Sequence, residues 1–78
     1  MREKKRYLVV AFHTTTQAMA FEKAAKSQGF TGRLIPLPGV ISAGCGLAWR
    51  DEPSTRTTMV SMMQEHALTM ENMYELIL

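Results

Sequence analysis

Cys45 is the only cysteine in the sequence. It stands between two glycines in the run Pro36-Leu37-Pro38-Gly39-Val40-Ile41-Ser42-Ala43-Gly44-Cys45-Gly46-Leu47-Ala48-Trp49-Arg50. One thiol cannot close an internal disulfide or build a four-cysteine zinc or iron–sulfur cage, which leaves the chemistry of a lone sulfur nucleophile or ligand. Gly44 and Gly46 can turn consecutive backbone N–H groups inward as an anion-binding nest and leave the sulfur accessible. The competing reading is a small buried hydrophobe, the common fate of a free cysteine. A glycine-flanked loop favours function, because loops at strand ends carry it disproportionately.

The elements that position this loop follow from periodicity. Residues 7 to 12 are aliphatic or aromatic, and Leu8, Val10 and Phe12 share one face of a buried first strand. Thr14, Thr15 or Thr16 can cap a helix from about Thr15 to Gln28, in which Ala18, Phe21 and Ala25 recur at helical spacing until Gly29 stops it. Residues 32 to 37 read as a second strand whose Pro36 demands a sheet edge, and residues 47 to 50 as a short third. Pro53, preceded by Asp51 and Glu52, suits the first turn of a second helix ending near Ala67. Residues 72 to 78 finish as a fourth strand, with Tyr74, Leu76 and Leu78 on one side.

The order β-α-β-β-α-β predicts an α+β, ferredoxin-like fold, a four-stranded antiparallel sheet in the order 4-1-3-2 with both helices on one face. Residues 1–78 form one domain, with 1–6 as a frayed basic end. The uncovered face carries Tyr7, Val9, Ala11, Ala48 and Arg50, an apolar surface that a second copy would cover, so a homodimer is expected. This topology sets Cys45 beside His13, Thr14 and the N-terminal turn of the first helix, whose partial positive charge stabilises a thiolate. Arg33 or Arg50 can add positive charge, though strand alternation can equally turn either into water.

Other residues have plainer readings. His13 can serve Cys45 as acid, base or charge partner, or cap a strand end; His66 suits a helix C-terminus. Met59, Met62 and Met63 invite copper but share the spacing of a core stripe. Glu22 can pair with an arginine at the sheet edge or sit at the boundary in water. The formal net charge is +2, and the basic cluster Arg2, Lys4, Lys5 and Arg6 reads as a solubilising tail rather than a nucleic-acid arm. The apolar run after it is interrupted by His13 and the threonines, unlike a secretory signal. No stretch has the ~20 apolar residues of a membrane span. A free cysteine suits the reducing cytoplasm.

The segment Arg33-Leu34-Ile35-Pro36-Leu37-Pro38, with Ile41-Ser42 and Cys45-Gly46-Leu47-Ala48-Trp49-Arg50, resembles the Se/S carrier protein-like domains. These are small bacterial proteins, sometimes fused to or found near selenium- and sulfur-metabolism proteins. Thr14-Thr15, Ala18, Glu22 and Gly29 resemble that family's first-helix pattern, and the likeness spans roughly residues 7 to 50. It implies a cysteine that carries sulfur or selenium as a persulfide or selenosulfide, at Cys45 here. It departs at Ser42-Ala43-Gly44, where the family often has a serine-rich approach; His13 is not carried over from the family.

The expectation is thus a cytoplasmic chalcogen carrier rather than an enzyme, exchanging sulfur or selenium between donor and acceptor proteins, with no resident cofactor or metal. The alternative is a dimeric interaction or regulatory module with a structural cysteine.

Overall fold

The computed structural model describes residues 4–41 and 44–78; Met1, Arg2, Glu3, Ser42 and Ala43 lie outside the described residues. The elements follow in the order β1 (Arg6–Ala11), α1 (Thr15–Ser27), β2 (Arg33–Pro36), β3 (Leu47–Asp51), a 3-10 turn (Pro53–Thr55), α2 (Arg56–Glu65) and β4 (Asn72–Ile77). The sheet runs β2-β3-β1-β4, with each neighbouring pair antiparallel. This is the ferredoxin-like topology, and it places the proline-bearing β2 at an edge, where a missing N–H costs no ladder bond.

Alternation along the strands sorts their side chains into two clusters. Leu8, Val10, Phe12, Trp49 and Met73 pack with Ala18, Phe21 and Ala25 of α1 and Met59, Met62 and Met63 of α2, so both helices cover one face. Phe21 lies 5.2 Å from Phe12 and 5.5 Å from Trp49 between ring centroids, at tilted angles; such pairs add about 0.5–1.5 kcal/mol each beyond area burial. The methionine stripe is therefore core.

The opposite face carries Val9, Ala11 and Ala48, each fully buried, ringed by Tyr7, Ile35, Leu37, Tyr74, Leu76 and Leu78 and capped by Ile41 at 7 % exposure. Its centre is covered within the chain itself.

Local geometry departs from the sequence expectation at four points. β1 begins earlier: Lys5 and Leu78 exchange both backbone bonds, at 3.0 and 2.9 Å, so Lys5 and Arg6 belong to the sheet rather than to a frayed end. Glu52 grips the Lys5 ammonium at 2.9 Å and raises its pKa above the ordinary 10.5. Pro53 opens a 3-10 turn and not the α-helix itself, because Thr55 donates both its N–H and its hydroxyl to the Glu52 carbonyl, at 3.0 and 2.7 Å. Asp51 is no helix-terminal acid but the buried last residue of β3. Its carboxylate accepts the Trp49 indole N–H at 3.0 Å and the Glu52 N–H at 2.8 Å.

The fourth departure lies in how α2 ends. Both helices close with the same bond pattern: Phe30 N–H to Ala25 and Gly29 N–H to Lys26 after α1, Leu68 N–H to Met63 and Ala67 N–H to Gln64 after α2. This pattern needs a left-handed residue just past the helix. Gly29 supplies it after α1 (φ 88), whereas after α2 Ala67 is forced to φ 52, and α2 stops at Glu65.

Candidate functional site around Cys45

The loop from β2 to β3 crosses the end of the sheet where β1 hands over to α1. Ile41 seats in the open-face cluster, whereas Cys45 packs against the helix-side core. The loop is thus pinned on both faces, and Cys45 is half-buried. Between the anchors Gly44 presses against the chain at His13: a β-carbon there would lie 2.6 Å from the His13 carbonyl oxygen. The expected proximity of Cys45 to His13 and to the start of α1 rests on this contact.

Gly46 occupies the left-handed region (φ 73), which favours glycine. Its carbonyl accepts the Leu37 N–H at 2.9 Å, extending the β2–β3 ladder by one rung. The two glycines answer different demands, one steric and one conformational. The Cys45 thiol donates to the Leu47 carbonyl at 3.6 Å. That contact belongs to a protonated sulfur, since a thiolate has nothing to donate.

At the start of α1, Thr14 takes the cap position and its hydroxyl accepts the Gln17 N–H at 3.1 Å; the Gln17 side chain in turn accepts the His13 N–H at 3.0 Å. This reciprocal arrangement resembles a capping box. Gln17, unremarked in the sequence, therefore holds His13 and Thr14 in place. The His13 residue is exposed.

Arg33 and Arg50 are not brought to Cys45. They are cross-strand partners at the end of β2 and β3 remote from the loop, and the Arg50 guanidinium stacks 4.7 Å above the Tyr7 ring. Strand direction separates them from the thiol. Glu22 pairs with Lys26 along α1 at 3.5 Å, and His66 caps α2 with its ring 3.3 Å from the Gln28 amide. Among the described residues no three His, Cys, Asp or Glu side chains converge as a metal site. None of the helices among them is long and apolar enough to cross a membrane. Two open grooves, about 590 and 350 Å³, lie respectively along the C-terminal half of α2 and between α1 and the turn after α2, and share Leu68; neither includes the Cys45 loop.

The family model described as Putative Se/S carrier protein-like matches residues 7–75. The chain belongs to this family. The match runs past residue 50 through α2 and most of β4, further than the sequence motifs indicated, and the Cys45 loop lies inside it. No curated protein and no solved structure matches the chain.

Proposed function

We propose that this Se/S carrier-like protein relays sulfur or selenium on Cys45 between a donor and an acceptor protein. The observation that carries the reading is membership of the family over residues 7–75 in a chain whose one cysteine sits in a loop anchored on both faces of the sheet. An anchored loop supports a carrier because it presents one sulfur reproducibly to successive partners, and the absence of a second cysteine means that nothing within the chain can discharge the cargo.

In the loading step the thiol gives its proton to solvent and its hydrogen bond to Leu47 is lost. The thiolate attacks the outer sulfur of a donor persulfide, R–S–SH; a sulfur–sulfur bond forms to Cys45, the donor's own sulfur–sulfur bond breaks, and its electron pair leaves on R–S⁻. An acceptor thiolate then attacks the outer sulfur of Cys45–S–SH and regenerates the Cys45 thiolate. Neither step changes the overall oxidation level, and selenium follows the same path through Cys45–S–SeH. Gly44, Gly46, His13 and Thr14 frame the approach to the sulfur; Arg33 and Arg50 are too remote to touch the cargo. The cytoplasm suits a reduced thiol, and a homodimer belongs to the same reading as a pair of carriers.

A second reading, an interaction module with a structural cysteine, is favoured by one observation: the sulfur packs on the core and donates to a carbonyl. Incubation with a persulfide-generating desulfurase, followed by intact mass spectrometry, separates the two. The carrier gains the mass of one sulfur, lost on reduction and absent in Cys45→Ala. A wild-type protein that stays unmodified while alkylating no faster than a free thiol supports the structural cysteine instead.

A further inference from the structure

The two edges of the sheet differ. β2 spans only Arg33–Pro36 and ends in a proline, whereas β4 runs for 6 residues in unbroken register against β1 and has no strand on its outer side among the described residues. Because Lys5 and Leu78 exchange both backbone bonds, alternate residues Leu76, Tyr74 and Asn72 turn their backbone toward β1, and Met73, Glu75 and Ile77 turn theirs outward. The Met73 N–H is already taken by the Asn72 side chain at 2.8 Å. The outward donors left are Glu75 and Ile77, and Ile77 is 56 % exposed. An unprotected edge of this kind is a template for another strand.

We infer that β4 pairs antiparallel with β4 of a second copy, about a two-fold axis at Leu76. The free groups are self-complementary in this register: Glu75 of each chain exchanges both backbone bonds with Ile77 of the other. Leu76 then faces its own counterpart in a non-hydrogen-bonded pair and Tyr74 faces Leu78, all on the apolar face the helices leave open. Centring the axis on Tyr74 would require the capped Met73 N–H. Centring it on Glu75 would require the same group and would also set two carboxylates opposite each other. The centre of the open face is covered within the chain, and the apolar rim left part-exposed includes Tyr74, Leu76 and Leu78 of β4 itself. The inference is independent of the chemistry proposed for Cys45, and the antiparallel arrangement leaves the two cysteine loops at opposite ends of a continuous sheet.

The test is sedimentation equilibrium on the Cys45→Ala chain, which excludes dimers linked through the native thiol. A reversible dimer is expected, with Kd on the order of micromolar or weaker, since an edge contact is smaller than a standard interface. Ile77→Pro removes an outward N–H without touching the β1 ladder, and Ile77→Lys places a charge at the edge; each should leave a monomer with unchanged circular dichroism. In the Cys45→Ala background, Leu76→Cys should oxidise to a symmetric disulfide, because opposed Cα atoms in such a pair lie about 4.5 Å apart, while Ile35→Cys should not. A chain that stays monomeric at every concentration overturns the inference. So does a dimer indifferent to both Ile77 variants and cross-linked through Ile35→Cys, which would be face-to-face.

Discussion

Gly44 and His13 are in contact through their backbones, with room for only a hydrogen at position 44: a β-carbon would stand 2.6 Å from the His13 carbonyl oxygen. This contact ties the cysteine loop to the segment that starts α1. Gly44→Ala must push the two apart, and overpacking of this kind costs about 1–3 kcal/mol. Gly46→Ala meets open space but must hold a left-handed backbone, at about 1 kcal/mol. Urea denaturation measures both, and only Gly44→Ala should also alter the alkylation rate of Cys45 by moving the loop off His13.

Ile41 anchors the other side of the loop over Val9, Ala11 and Ala48. Ile41→Ala should destabilise by about 2 kcal/mol, the low end for emptying a buried aliphatic site. It should also speed alkylation of Cys45 several-fold by freeing the loop. An unchanged alkylation rate would show that Cys45 is held without it.

Ala67 is an L-residue in a glycine position, φ 52 past the end of α2. Ala67→Gly relieves that strain and should raise stability by about 0.5–1 kcal/mol, seen as a higher midpoint in thermal denaturation. A lower midpoint would mean that chain entropy outweighs the strain.

Trp49 and Asp51 form a buried polar pair under Gly32, where a β-carbon would lie 2.8 Å from the indole nitrogen and 2.9 Å from the Asp51 carboxyl carbon. Asp51→Ala leaves a buried donor unpaired, at about 1–3 kcal/mol, whereas Asp51→Asn keeps an acceptor and should cost less. Tryptophan fluorescence reports the change directly, since Trp49 is the chain's only tryptophan.

Val40 stands 82 % exposed in the cysteine loop. If donor proteins dock there, Val40→Glu should slow loading from a desulfurase while leaving loading by a small-molecule persulfide unchanged. Equal slowing of both would place the effect on the loop rather than on docking.

Much of the fold was readable because periodicity is a local property. Leu8, Val10 and Phe12 alternate, Ala18, Phe21 and Ala25 recur at helical spacing, and Pro36 excluded the interior of the sheet; topology rules then put Cys45 and His13 at one end. Asp51 reads as a helix-terminal acid because it directly precedes Glu52 and Pro53; that β3 runs on to it and sets its carboxylate on the same face as the Trp49 indole is not written in the residue types. The other misread residues depend on partners distant in sequence. Ile41 is one aliphatic residue in a loop, and no pattern announces that it caps the open side. Arg33 and Arg50 appeared free to approach the sulfur until strand direction carried them to the far end.

The element order, the single thiol and its position at the His13 end of the sheet are legible in the letters, since they follow from residue types and from the topology those elements allow. How the loop is held, with Ile41 on one face, Cys45 on the other and Gly44 against His13, emerges only on folding, because packing joins residues by shape and not by spacing. The orientation of the sulfur toward the Leu47 carbonyl is of the same kind: the left-handed residue Gly46 lies between the two, a conformation that the letters permit but do not specify.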